Sequence, residues 1–178
     1  MVPADILPNP NPLDLVPPHG RWQAQALREI DRVRRALGPA CHAVHHIGST
    51  SVPGLHAVSV IDLLAELHAP DLSGPVLLRL MAHGFTPAQA APPCALHIAY
   101  DAMTGHRRVE LHCYPARHAD AQLLIAFFAH LRTAPAAAAV YDHMKREART
   151  RHGPASPAYD AAKRAWVRQH SATPAGQP

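Results

Sequence analysis

His46-Ile47-Gly48-Ser49-Thr50-Ser51-Val52-Pro53-Gly54-Leu55, running into Val58-Ser59-Val60-Ile61-Asp62-Leu63, is the stretch that decides the fold. An apolar run from Ala43 to Ile47 stops at Gly48-Ser49. Small hydroxyl residues and a Pro-Gly turn follow, and then a second apolar run with one acid, Asp62. A strand that ends in Gly-Ser before a turn leaves backbone N–H groups and hydroxyls pointing outward, which makes a seat for a phosphate or another anion. A carboxylate on the next strand can hold a metal beside it.

Working outward, Trp22 to Leu37 carries Leu27, Ile30, Val33 and Leu37 at helical spacing, with Arg28, Arg32 and Arg35 on other faces. This predicts an amphipathic helix stopped by Gly38-Pro39. Ala43–Ile47 reads as a strand. Residues 58–67 read as a second strand, apolar on both faces and therefore central. Residues 74–84 read as a helix with a Gly stop, and 96–102 and 107–114 as a hairpin turning at Met103-Thr104-Gly105-His106. Beyond Pro115 the period is helical, over 120–131, 136–151 and 157–170. Strands interleaved with helices and a helical C-terminal part place the fold in the α/β (α+β) class. Residues 1–20 hold six prolines and form an extended N-terminal arm. Residues 21–170 form a single domain, and 171–178 a short tail.

At 178 residues with 48% hydrophobic content, the chain can bury a proper core and is globular. No window is apolar for the length of a membrane span, and Met1 to Leu13 has no secretory h-region. Cys41, Cys94 and Cys113 are too few for a disulfide framework and lack CxxC spacing. They are expected to be reduced, buried thiols in a cytoplasmic protein. Charge is uneven. Residues 1–106 carry 6 Arg against 8 acids, and 107–178 carry 9 Arg and 2 Lys against 5 acids. The basic half can face a nucleotide or simply be a solvated helical surface. No Arg/Lys run has interleaved aromatics, so long nucleic acid is not the expected partner. A GxSxG elbow and a Walker A loop are both missing.

The HIGSTSVPGL block at 46–55, VIDLL at 60–64, LHCY at 111–114, Leu131-Arg132 with Thr133-Ala134-Pro135, YDHMK at 141–145 and YDAAK at 159–163 together resemble the GrpB-like family. The resemblance implies a nucleotidyltransferase-like mixed β-sheet flanked by helices, with the site at one sheet edge. A nucleotide or other phosphate-bearing ligand is expected at Gly48, Ser49, Thr50 and Ser51, with Arg132, Lys145 and Lys163 as further candidate ligand-binding residues; the family motifs match at both lysines, which supports a shared role without defining it. The chemistry implied is metal-dependent nucleotidyl transfer with Mg²⁺ or Mn²⁺, Zn²⁺ being the less expected ion. The alternative is a non-catalytic binding or interaction module.

Nucleotidyl transfer by this fold uses two cations held by carboxylates at i and i+2 of one strand, and a third acid on a neighbour. Asp62 fits the first place, but Leu64 stands at i+2. Glu66 shares the face at roughly 13 Å, too far to share an ion. Glu110 can supply the third carboxylate, because alternation puts Arg108, Glu110 and His112 on one face. Asp62 and Glu110 are thus the expected catalytic and metal residues. His46 and His112 could converge with Asp62 on one ion, or simply bond to backbone near the loop. His97 lies on the adjoining strand, and His45 alternates away from His46. Against the family pattern, Val58-Ser59 replaces a Lys-Pro, and Phe128-Ala129 replaces an Arg-Asp. A site that binds but turns over poorly, or a branch with other ligands, accounts for these departures. Of the 17 basic residues only Lys145 and Lys163 are lysines, each in a Tyr-Asp-x-x-Lys pattern. That spacing puts Tyr and Lys on one helical face, for phosphate contact or for packing.

Overall fold

The computed structural model describes residues 14–68, 72, 74–90, 92–153 and 156–171. Most of the arm and tail therefore lie outside the described residues. The end of the arm is tied down, because Val16 exchanges backbone hydrogen bonds with Ala57 at 2.9 and 3.1 Å. The elements are α1 (Arg21–Leu37), β1 (Cys41–Ile47), β2 (Ile61–Leu67), α2 (Gly74–Ala82), β3 (Phe85–Ala88), β4 (Ala95–Tyr100), β5 (Arg107–Pro115), α3 (Ala119–Thr133), α4 (Pro135–His152) and α5 (Pro157–Ser171). This is a mixed, five-stranded α+β fold with sheet order β1-β2-β5-β4-β3. All pairs are antiparallel except β2 with β5.

The two faces of the sheet are covered by different helices. Ile61, Leu63, Ala65 and Leu67 of β2, with Val109, Leu111 and Cys113 of β5, pack against Trp22, Ala26, Val33 and Leu37 of α1 and Val76 and Leu80 of α2. The opposite face buries Ile47 and Leu64 under Phe127, Phe128 and Leu131 of α3, Tyr141 of α4 and Val167 of α5. This division explains why β2 is apolar on both sides. The buried face of α1 runs through Trp22, Ala26, Glu29, Val33, Ala36 and Leu37, so Leu27 is left 66% exposed. Glu29 tolerates burial because it binds Arg32 (3.2 Å) and Arg108. All three cysteines are free. Cys113 is buried, whereas Cys41 and Cys94 are half-buried.

Two local features depart from simple alternation. β3 is a four-residue edge strand containing Pro87, and the sequence pattern leaves it unassigned. On β5, Ala99 pairs with Val109 but Tyr100 pairs with Arg107, so Arg108 is an extra, bulged residue. The bulge turns Arg108 to Glu29 on α1, away from the face of Glu110 to which alternation assigned it. No single helix among the described residues is long and apolar enough to cross a membrane.

Candidate functional site

β1 pairs with β2 so that Ile47 stands opposite Asp62. Gly48 follows with φ +74°. A Cβ built on Gly48 would lie 2.0 Å from Asp62 Oδ2. Glycine is therefore needed both for the turn and for the room it leaves the carboxylate. Ser49–Ser51 form one 3₁₀ turn, which Ser51 closes by donating its N–H (3.1 Å) and its hydroxyl (2.7 Å) to the Gly48 carbonyl. Buried Thr50 donates its hydroxyl to the Val60 carbonyl at 3.3 Å. Its single hydrogen is thereby used, so His46 Nε2–H is the donor in the 3.0 Å contact with Thr50 Oγ1. Burial, with Arg132 nearby, lowers the His46 pKa to about 4 and keeps the ring neutral. Arg132 Nη1 donates to the His46 carbonyl and to Ser51 Oγ, each at 3.4 Å.

A network on α4 holds the loop from beneath. Lys145 Nζ donates to Ser49 Oγ at 3.0 Å and to the His56 carbonyl. The lysine is completely buried, 3.6 Å from Asp142 Oδ1. Desolvation lowers its pKa to about 8, against the opposing pull of Asp142. Asp142 accepts from the His56 N–H (2.9 Å) and from Arg146 Nε (3.1 Å), and lies 3.0 Å from His56 Nδ1. Tyr141 fixes the helix that carries this network, because its buried ring packs edge-on to Phe127 at 5.4 Å and against Trp166 at 5.1 Å.

In front of the loop is a cleft of about 420 Å³. Ser49, Thr50, Val58, Asp62, Glu110 and Lys163 are among its lining residues. Asp62 and Glu110 are direct neighbours across the parallel β2–β5 ladder. With His112 they offer ligand atoms that all lie within 4.8 Å of one another. Desolvation and the adjacent Glu110 charge raise the Asp62 pKa to about 7, with Lys163 opposing. Burial likewise lowers the His112 pKa despite the pull of Glu110. Arg107 Nη1 holds Glu110 Oε1 at 2.8 Å. Lys163 sits over the Tyr159 ring, 5.2 Å from its centroid, and Arg149 lies over the same ring at 5.8 Å. Two carboxylates and one imidazole at this spacing fit a single divalent ion.

The structure brings Gly48, Ser49, Thr50, Asp62, Glu110, His112 and Lys163 together. It does not bring in His46, Ser51, Arg132 or Lys145. His46 pairs with Leu63 and so occupies the other face of the sheet from Asp62. His45, set aside on the sequence, is on the Asp62 face and contacts Glu66 at 3.0 Å. Glu66 is further engaged by the Arg117 N–H and Gln122, both at 2.8 Å, away from the cleft. His97 pairs with Leu111, also on the far face. Sequence reading missed Asp142 and His56, whose partnership spans 86 residues. It also missed Arg107 and Arg149 as cleft residues, for which only the basic C-terminal half gave a signal.

A family model described as GrpB protein matches residues 12–173. The chain belongs to the GrpB family. The crystal structure of the conserved protein GrpB from Enterococcus faecalis superposes with a TM-score of 0.76 at 23% identity, covering 89% of this chain and 94% of that one. The Cid1 poly(U) polymerase with MgGTP bound superposes at 0.55 and 16% identity, covering 82% of this chain and 50% of that one. The GrpB chain therefore has a nucleotidyltransferase-like fold. Among sequence relatives, the UPF0157 protein YqkA of Bacillus subtilis is 26% identical over 149 residues, covering 83% of this chain and 43% of YqkA. A dephospho-CoA kinase of Mycolicibacterium paratuberculosis is 31% identical over 182 residues, covering 88% of this chain and 44% of that protein. The GrpB chain thus spans less than half the length of these two relatives.

Proposed function

We propose that the cleft binds a nucleotide or another phosphate-bearing small molecule together with a divalent cation. The observation that carries this reading is the pairing of Asp62 with Glu110 on the cleft floor, His112 beside them. Asp62, Glu110 and His112 would hold the ion. Such an ion neutralises phosphate charge and orients phosphate oxygens. Ser49 and Thr50 supply polar groups at the loop, and Lys163 supplies a cation from the opposite wall. Lys145 acts on the ligand only through Ser49, by fixing its hydroxyl. Arg132 and Ser51 keep the turn closed from behind.

The same geometry favours binding over transfer. Leu64, at the place of the second β2 carboxylate, is completely buried beneath α3–α5. Glu66, the other acid of β2, is engaged by His45, Arg117 and Gln122, so with Asp62 alone from β2 at the cleft a pair of ions about 3.5–4 Å apart lacks its ligands. Isothermal titration with ATP, GTP, CTP and UTP, with and without Mn²⁺, tests the reading. Nucleotide binding is expected to depend on the metal and to be lost in Asp62→Asn, with negligible turnover. Equal affinity in wild type and a folded Asp62→Asn protein would place the ligand elsewhere. Robust metal-dependent turnover abolished by Asp62→Asn would show a working transferase.

A further inference from the structure

We infer that the cleft holds one ion rather than two, that His112 Nε2 is one of its ligands, and that Cys94 sets the imidazole for that task. The inference rests on the metal-dependent reading above and specifies its ion. The two ring nitrogens of His112 meet different partners. Nε2 lies 4.0 Å from Asp62 Oδ1, on the carboxylate side. Nδ1 lies 3.9 Å from Cys94 Sγ, on the other. The backbone sets this arrangement, since Leu96 pairs with His112 and Ala95 with Cys113. Cys94 immediately precedes β4, and continuing the alternation back one residue places it on the His112 face, beside Tyr114. A ring that gives its Nδ1–H to sulfur keeps a lone pair on Nε2, directed to the carboxylates. Cys94 is thus a positioning residue, acting on the ion through His112.

The ligand set also selects the ion. Mg²⁺ favours near-octahedral oxygen ligation, whereas an imidazole beside two carboxylates suits Zn²⁺, Co²⁺ and, more weakly, Mn²⁺. Among the described residues, no second group of three such ligands lies within reach of one ion. The cluster holds only two carboxylates, and Arg107 already occupies one oxygen of Glu110.

The test titrates the full chain with Zn²⁺, Co²⁺, Mn²⁺ and Mg²⁺ alone, following heat and the visible Co²⁺ spectrum. One ion per chain is expected, with Zn²⁺ and Co²⁺ bound at least about tenfold more tightly than Mg²⁺. His112→Gln should remove that preference. Cys94→Val should weaken Co²⁺ roughly 10- to 100-fold, while Cys94→Ser, whose hydroxyl still accepts from Nδ1–H, restores most of it. In the metal-free protein, ¹⁵N NMR should find His112 protonated on Nδ1 in wild type and Cys94→Ser, and shifted toward the other tautomer in Cys94→Val. Two ions per chain, preference for Mg²⁺, or a Cys94→Val protein with unchanged tautomer and affinity overturns the inference. So does a sulfur-to-cobalt charge-transfer band, which would make Cys94 a ligand. If Asp62→Asn abolishes metal binding while His112→Gln and Cys94→Val keep the wild-type affinity and ion preference, this inference alone fails. If Asp62→Asn changes nothing, the underlying metal reading fails with it.

Discussion

Gly48 meets two demands at one position. Its φ of +74° disfavours any side chain, and a Cβ would run into the Asp62 carboxylate at 2.0 Å. Gly48→Ala should therefore destabilise the protein by about 1–3 kcal/mol and also abolish any metal-induced rise in Tm, because the carboxylate must move. A melting curve with and without Mn²⁺ checks both effects. Lys145 is a residue whose role changes once its surroundings are known. Lys145→Met removes the donors to Ser49 and His56 and leaves Asp142 with His56 and Arg146 only. A loss of about 3 kcal/mol is expected, the lower end for breaking a buried pair, because Asp142 keeps those partners. The pH dependence has a definite sign. The folded-state pKa of about 8 lies below the ordinary 10.5, so between these values the unfolded chain holds a proton that the folded chain has released. Wild-type stability therefore gains a rising contribution as pH climbs through that window. Lys145→Met lacks it, and urea unfolding from pH 7 to about pH 10 measures the difference.

At the scale of elements, the duplicated Tyr-Asp-x-x-Lys pattern gives duplicated local geometry and different outcomes. Each lysine lies 5.2 Å from the ring centroid of its own tyrosine. On α4 the set is buried against the loop, whereas on α5 it opens on the cleft. Lys163 is half-buried over the Tyr159 ring, so Lys163→Met should cost about 0.5–1 kcal/mol, the worth of such a contact, and weaken nucleotide binding. That loss should shrink as salt is raised, which titration at two ionic strengths would reveal. β2 sets the opposite case. Leu64→Asp puts an unpaired charge under three helices, so it should cost about 4 kcal/mol or more and create no second ion site. Thermal unfolding and metal stoichiometry check it together. Most elements were legible because their periods are strong, as in α1 and β5. β3 was not, since Pro87 and four residues give no period. Alternation separated His45 from His46 but could not tell which faces Asp62, because that depends on the β1–β2 register. Nor could it show the Arg108 bulge, which exists only in the pairing with β4. Glu110 was legible as the lone acid of its strand, and Asp62 as the acid next to the Gly-Ser loop; Cys94 was not, because its relation to His112 depends on the β4–β5 register.

At the scale of the molecule, two helical layers serve different ends. α1 and α2 close one face of the sheet with an apolar core, while α3–α5 bury Leu64 and two of them, α4 and α5, carry Arg149 and Lys163 to the cleft. The aromatic cluster of Phe127, Tyr141 and Trp166 joins those three helices, so the positions of Lys145 and Lys163 are set by packing. The cleft is consequently assembled from distant parts of the chain, with Ser49 and Asp62 early, Glu110 midway and Tyr159 and Lys163 on the last helix. During synthesis the acids and the loop emerge well before α5 does. A ribosome-bound chain stopped after α4 would carry the ion-binding acids but lack the wall facing them. Ligand affinity should therefore appear late, with the final helix, and act as a clasp between that helix and the sheet. A proteolytic cut between α4 and α5 should abolish nucleotide binding while the sheet and α1 persist, and saturating ligand should slow the cut.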